Sequence, residues 1–186
     1  MKRILLAVVF LLLLGSSALA LTVAGVSVDP TVTLNGQALN LNGSGLRSKF
    51  FIKVYVGSLY AERKLGSAAA VLADPGSKLI RMRFIHSKVA KEKILDAFSE
   101  GFANNTPQSA GKAEVREFLS LFKNDFIEGD IVDLALAGDG TVSASHNGRS
   151  LGTVRSALLA RGILGNYFGD EPADKDLKAG MLGGEG

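Results

Sequence analysis

Cysteine is absent from this chain of 186 residues, and histidine occurs only at His86 and His146. The lack of cysteine excludes disulfides, thiol catalysis, cysteine-ligated metals and a lipid anchor on cysteine. Two histidines are too few for a histidine-built metal site. Both lie at predicted strand boundaries, which favours a structural hydrogen-bonding role over acid–base catalysis. We therefore expect no metal and no other cofactor.

A large charge of either sign is also missing. The formal net charge is +3, and it falls to about +1 if Lys2 and Arg3 leave with an export signal, because 21 − 2 basic residues then face 18 acidic ones. A near-neutral chain lacks the electrostatic footprint of nucleic-acid binding. We expect no nucleic-acid partner.

The common catalytic motifs are missing as well. The sequence has no G-x-S-x-G elbow, no phosphate-binding P-loop, no G-x-G-x-x-G and no H-E-x-x-H. Asp130 and Asp133 flank a predicted strand start, and solvation of a turn explains them better than a metal pair does. No local motif therefore indicates a reaction.

The first twenty residues have the three parts of a secretory signal. Lys2 and Arg3 form the basic start, residues 4–14 are apolar, and Ala18-Leu19-Ala20 is a small-residue cleavage site. The apolar run is shorter than a spanning helix requires. We expect cleavage after Ala20, a periplasmic or secreted protein without a membrane span, and one domain over residues 21–186 that is frayed from about residue 180.

Residues 45–62 form the longest strand-like run of the chain, with apolar and polar residues alternating. Arg47 lies near its start and Tyr55 eight residues later. On a straight strand the two would be ~26 Å apart, so a bend or bulge after Lys49 is needed to bring them to one ligand, or Tyr55 belongs to another part of the site. A guanidinium at the mouth of a cleft binds carboxylates through paired hydrogen bonds. The alternative is a surface arginine in a salt bridge.

The remaining pattern is that of a segregated α+β fold, with helices on one face of an antiparallel sheet. Arg81 and Arg83 share one strand face, which fits either an anionic ligand or a solvated face paired with acidic residues. We predict turns at Asn35-Gly36, Asn42-Gly43, residues 138–140 and Asn147-Gly148, strands at 78–86, 131–137, 141–146 and 149–151, and helices at 67–73, 87–104 (with Ser87 as N-cap), 113–126, 153–167 and 174–182.

Five segments follow one another along nearly the whole mature chain: G-L-R at 45–47, F-I-K-V-Y-V-G-S-L-Y-A-E at 51–62, E-F-L-S-L-F-K at 117–123, A-L-L-A-R-G-I-L-G-N-Y-F-G at 157–169 and L-K-A-G-M-L-G at 177–183. In the order and spacing of these segments the chain resembles the chalcone isomerase-like family, in particular its exported bacterial branch. The resemblance implies an open-faced β-sandwich, in which a long antiparallel sheet is covered on one face by helices.

The resemblance also implies a site. Plant chalcone isomerases close a chalcone to a flavanone, whereas other members bind fatty acids and keep the arginine to hold a carboxylate. Arg47 matches that arginine, and Tyr55 takes the place of a strand threonine. Ala90 and Ala97 take the places of a tyrosine and an asparagine. Ser150 falls near a later threonine, with Leu151 after it.

We therefore favour a periplasmic, non-catalytic protein that binds a fatty acid or a similar small amphipathic anion. The expected ligand-binding residues are Arg47, Tyr55, Ser150, Leu151 and Phe51; Arg47 and Tyr55 are also the candidates for any catalysis. One alternative is an isomerase (intramolecular lyase) for a non-flavonoid substrate. Another is a ligand-free interaction module whose cleft is filled by side chains such as Phe51 and Tyr55.

Overall fold

The structure is a computed structural model, and it describes residues 21–184. The predicted signal sequence and its cleavage after Ala20 lie outside these residues. The described strands are β1 (Leu21–Val23), β2 (Val26–Val28), β3 (Thr31–Leu34), β4 (Gln37–Lys49), β5 (Ile52–Ala61), β6 (Lys78–Phe84), β7 (Lys88–Val89), β8 (Phe126–Ile127), β9 (Ile131–Leu136), β10 (Thr141–His146) and β11 (Arg149–Arg155). The described helices are α1 (Ala68–Ala73), α2 (Lys91–Asn105), α3 (Ala113–Ser120), α4 (Ala157–Phe168) and α5 (Lys175–Met181).

Seven strands form one antiparallel sheet in the order β11-β10-β9-β6-β5-β4-β3. The helices pack on one face of it. Successive side chains of β5 point to opposite faces, so Tyr55, Leu59 and Ala61 join the core beneath the helices. The α+β fold with helices on one face of a long antiparallel sheet is therefore confirmed.

The opposite face carries a smaller apolar cluster. Val56 and Tyr60 of β5 pack there with Val28 and Leu39. The β1–β2 hairpin supplies Val28, and the Tyr60 hydroxyl donates to the carbonyl of Asp29 at 3.0 Å. The N-terminal hairpin thus covers part of the face that the helices leave open.

Residues 45–62 are two strands instead of one. β4 ends at Lys49, the chain turns at Phe50 and Phe51, and β5 begins at Ile52. The predicted turn at residues 42–43 is wrong, because β4 continues there with a shift of register between Leu41 and Gly43. Asn42 is buried and donates to the carbonyls of Leu65 and Met181. Its side chain therefore joins strand to helix where a turn was expected.

Several helix boundaries also differ from the prediction. Ser87 is not an N-cap, because Lys88 and Val89 form a short ladder with β8 and α2 begins only at Lys91. The strand predicted at 149–151 continues to Arg155, so α4 begins at Ala157. α3 ends at Ser120. Residues 180 and 181 are buried in α5, so fraying does not begin at residue 180. No helix within residues 21–184 is both long and apolar enough to cross a membrane.

Candidate functional site

The β4–β5 hairpin makes Arg47 and Tyr55 direct partners on neighbouring strands. The guanidinium carbon of Arg47 lies 5.5 Å from the centre of the Tyr55 ring, within cation–π range. A straight strand would have separated them, and the two-residue turn after Lys49 supplies the bend that the sequence required. The two candidate residues are therefore brought together.

Arg47 is a buried cation without a carboxylate partner. Its side chain is 8% exposed, so the alternative of a surface arginine in a salt bridge is wrong. Among residues 21–184 it makes no ion pair, and its Nε has no hydrogen-bond acceptor. The neighbouring Tyr55 raises the pKa of Arg47 most, burial opposes that effect, and Tyr167 and Asp174 raise the pKa further. The guanidinium therefore stays charged.

Arg47 borders a cleft of about 500 Å³ between the β4–β5 hairpin and α2. The wall is mostly apolar, and four cationic side chains, one histidine and two carboxylates border it. The apolar lining residues are Phe50, Ile52, Val54, Val89, Ala90, Ile94 and Ala97, and the others are Arg47, Lys49, His86, Lys88, Lys93, Asp96 and Glu100.

The interior behind Arg47 is almost filled. A cavity of only about 10 Å³ remains there, bordered by Arg47, Tyr55, Asn166 and Tyr167 among others. The Tyr167 hydroxyl donates to the sulfur of Met82 at 3.2 Å. Burial raises the pKa of Tyr167 well above its usual value, and the adjacent Tyr55 adds to the rise. The phenol therefore stays neutral, and the space available to a ligand lies on the hairpin side of Arg47.

Asp174 holds the strand next to Arg47 in place. One carboxylate oxygen accepts from the backbone N–H of Ser48 at 3.0 Å. The other accepts from the N–H groups of Asp176 and Leu177 and so caps α5. A single carboxylate thereby fixes α5 to β4 one residue after Arg47.

The other predicted site residues are divided between the cleft and the outside. Ala90, which precedes α2, and Ala97 on α2 both border the cleft. Phe51 is fully exposed at the hairpin turn and lies outside the cleft, because the turn directs Phe50 to the cleft instead. Ser150 and Leu151 belong to β11, from which β10, β9 and β6 separate β5. The structure does not bring these two beside Arg47, contrary to our expectation.

Sequence reasoning missed Tyr167, Asn166 and Asp174 as neighbours of Arg47. A signal for the first two was present, since an asparagine and a tyrosine interrupt the otherwise apolar end of the predicted helix 153–167. Asn166 donates to the carbonyl of Phe98, and its Oδ1 is buried without a partner in the described structure. Within residues 21–184 no group of three or more acidic, histidine or cysteine side chains is arranged to hold a metal ion.

Comparisons with known proteins place this arrangement in a family. A sequence profile described as "Chalcone isomerase-like" matches residues 20–183. A curated relative, fatty-acid-binding protein 1 of Arabidopsis thaliana, is 27% identical over 180 residues, covering 79% of this chain. The chain spans 64% of that relative's length.

The fold agrees with a solved structure. The crystal structure of a fatty-acid binding protein from Arabidopsis thaliana is similar with a TM-score of 0.65 and 23% identity, over 85% of this chain and 92% of that one. At this level of identity the similarity supports the fold alone. The profile match spans nearly the whole chain and includes the hairpin that carries Arg47 and Tyr55. The chain belongs to the chalcone isomerase-like family.

Proposed function

We propose that this protein binds a fatty acid or a similar small amphipathic anion in the cleft between the β4–β5 hairpin and α2, without catalysing a reaction. The name of the curated relative, a fatty-acid-binding protein, supports the class of ligand. The cleft joins an apolar wall to one buried cation, which matches an apolar chain that ends in a carboxylate.

Arg47, a buried cation with no carboxylate partner among residues 21–184, carries the proposal. Burying a cation costs free energy unless an anion or hydrogen-bond acceptors replace the lost water. Arg47 has no carboxylate partner among the residues described, and its Nε is unpaired. The planar guanidinium is suited to two parallel hydrogen bonds with a carboxylate. A bound carboxylate therefore supplies what the protein itself does not.

The volumes of the two cavities beside Arg47 support a direction for the ligand chain. A cleft of about 500 Å³ is within the usual range for small-molecule sites, whereas the 10 Å³ behind Arg47 admits no alkyl chain. We therefore expect the chain to leave Arg47 along the apolar wall that includes Val54, Ile94 and Ile52. Each methylene that it buries stabilises the complex by about 0.8 kcal/mol.

The two alanines that border the cleft support binding over catalysis. Ala90 and Ala97 border the cleft where the resemblance puts a tyrosine and an asparagine in plant enzymes. Methyl groups donate no hydrogen bonds to a developing negative charge, and losing one such donor costs a few kcal/mol of transition-state stabilisation. An interaction module with a filled cleft is less well supported, because Phe51 points away and the cleft has volume.

We also propose that the protein is exported, as expected of the exported bacterial branch, and works in the periplasm or outside the cell. The signal-like pattern of residues 1–20 supports this. The intact mass of protein from a periplasmic fraction is the test. A chain that begins at Leu21 supports export, and a full-length chain retained in the cytoplasm contradicts it.

Native mass spectrometry of the purified protein, followed by lipid extraction, tests the binding proposal. We expect a co-purifying fatty acid that disappears in Arg47→Ala. Arg149→Ala is the matched control, because Arg149 is an exposed arginine on β11 outside the cleft. Protein that is empty, and that fatty acids do not stabilise against heat, would contradict the proposal.

A further inference from the structure

The turn between β4 and β5 presents an unusual apolar tip. Phe50 is 83% exposed, Phe51 is fully exposed and Ile52 is 49% exposed. These are three consecutive large apolar side chains on a two-residue hairpin turn, because Lys49 pairs with Ile52. Exposed apolar patches of this kind mark interaction surfaces. We call residues 50–52 the hairpin tip.

The backbone of the tip departs from the local rules of turn formation. Phe50 and Phe51 have φ values of 49° and 67°, in the left-handed region that bulky residues avoid. The chain has the same geometry at Asn35-Gly36 (φ 50° and 82°) and at Asn147-Gly148 (φ 51° and 74°), with the residues that this turn favours. Two phenylalanines in such a turn lower stability and expose aromatic surface. Local departures of this kind occur at functional sites.

The charges around the tip are basic. Lys49 and Lys53 flank it, and both are exposed; the Lys49 ammonium lies 5.4 Å from the centre of the Phe50 ring. Lys93, also exposed, borders the adjoining cleft. The two carboxylates of the cleft, Asp96 and Glu100, are on α2 and not on the hairpin. Aromatic side chains flanked by lysines match the boundary between lipid headgroups and acyl chains.

The tip is continuous with the cleft, since Phe50 and Ile52 belong to both. We propose that the hairpin tip docks this protein on an anionic lipid bilayer, with Phe50, Phe51 and Ile52 inserted at the interface and Lys49 and Lys53 at the headgroups. The docking proposal rests only on the properties of the hairpin tip. Its use, the passage of an amphipathic ligand between bilayer and cleft, rests on the function proposed above. A second copy of this chain is a poorer partner, because it would oppose lysines to lysines.

Flotation of the full-length mature protein with lipid vesicles tests the proposal. We expect the protein to float with vesicles of phosphatidylglycerol and phosphatidylcholine in equal parts, and much less with phosphatidylcholine alone. Raising the salt concentration weakens the binding because it screens the lysines. Protein that stays at the bottom of the gradient with both kinds of vesicle overturns the proposal.

Variants of the turn separate docking from misfolding. Phe51→Gly and the double variant Phe50→Asn/Phe51→Gly give the turn residues that its φ values favour, so both fold at least as well as the native chain. We expect each to bind anionic vesicles at least about tenfold more weakly, since burial of one phenylalanine has that effect or more. Lys49→Gln/Lys53→Gln weakens binding to anionic vesicles only.

Leu72→Gln is the matched control. Leu72 is another exposed apolar residue, on α1, which follows the far end of β5; this variant should float like the native protein. Equal flotation of the Phe51→Gly and native proteins overturns the proposal. Loss in Leu72→Gln as large as in Phe51→Gly also overturns it, because the binding then does not depend on the tip.

Fatty-acid binding in solution without vesicles is a separate measurement. Protein that floats with anionic vesicles but binds no fatty acid supports the docking and contradicts the function proposed for the cleft. Protein that binds fatty acid but never floats overturns the docking alone.

Discussion

Arg47 differs from Arg81 in how its charge is compensated. Arg81 donates to both carboxylate oxygens of Asp133, at 2.8 and 2.9 Å, and also contacts Asp29 at 3.1 Å. These pairs support the structural interpretation of the Arg81 strand face over an anion site. Arg47 is more deeply buried and has no such partner in the described structure. This contrast supports the proposal that Arg47 binds an external anion.

Phe50 and Phe51 allow a prediction about stability at the residue scale. In Phe50→Asn/Phe51→Gly the turn receives the residues found at Asn35-Gly36 and Asn147-Gly148. We expect the free energy of unfolding to rise by about 1 kcal/mol, because the left-handed conformation no longer strains two aromatic residues. Urea denaturation is the measurement. A lower midpoint in the variant would show that the aromatic pair stabilises the fold, contrary to this account.

At the scale of elements, α5 and β4 approach each other through glycine. A methyl group on Gly45 would lie 2.7 Å from the carbonyl oxygen of Leu177, and one on Gly180 would lie 2.6 Å from the Gly45 Cα. Because these neighbours are backbone atoms, a methyl group at either glycine would force α5 and β4 apart. The contact keeps β4 in the position from which Arg47 reaches the cleft.

Gly45→Ala therefore destabilises the protein by about 2 kcal/mol through overpacking. Gly66→Ala is the control, because nothing lies within 4 Å of a methyl group at Gly66 and its φ is not positive. The free energies of unfolding of the two variants are compared by chemical denaturation. Equal stabilities would mean that α5 moves away from β4 at little cost.

The hairpins illustrate what the sequence can predict. Asn35-Gly36 and Asn147-Gly148 form the expected turns because both residue types accept positive φ. The turn after Lys49 has no local signal at its centre, because Phe50 and Phe51 are not turn residues and continue the pattern of a strand. Only the distance between Arg47 and Tyr55 on a straight strand indicated that a bend was needed there. Asn42-Gly43 predicted a turn that does not form. The asparagine instead donates to the carbonyl of Met181, and the glycine allows α5 to pack closely on β4.

The sequence predicts those parts of the site that lie in segments shared with the chalcone isomerase-like family. Arg47 was identified from the strand pattern and matched by the family resemblance, whereas Ala90 and Ala97 were identified through the resemblance alone. The fold brings all three to one cleft. Ser150 and Leu151 were misplaced because the prediction ended their strand too early and had no strand order. Tyr167 was missed because a tyrosine on an apolar helix face looks like ordinary core. Packing of distant segments decided each of these cases.

At the scale of the whole molecule, Asp130 connects the turn before β9 to the turn between β10 and β11. Its carboxylate accepts from the backbone N–H of Ile127 and from the side-chain amide of Asn147, and it lies 2.9 Å from Nε2 of His146. Burial opposes the ionised form, but these groups outweigh it and lower the pKa of Asp130 below its usual value. The folded state thus favours the ionised carboxylate.

The sign of the pH dependence follows from that lowered pKa. The stabilisation by Asp130 is complete above its unfolded pKa of about 4 and is lost as the pH falls through the lower folded value. We expect Asp130→Asn to be about 1 kcal/mol less stable at pH 7 and to lose less stability on acidification. Urea midpoints between pH 7 and pH 2.5 are the measurement. Parallel curves for native and variant protein would contradict the lowered pKa.

The central claim is that Arg47 selects a carboxylate at the end of an apolar chain. Isothermal titration with palmitate and with the uncharged alcohol of the same length tests it most directly, because the two ligands bury the same alkyl chain. We predict that the native protein binds the acid at least about tenfold more tightly, the effect of a charge-assisted hydrogen-bonded pair, and that Arg47→Ala removes the difference. Equal affinities of the native protein for acid and alcohol would contradict the account.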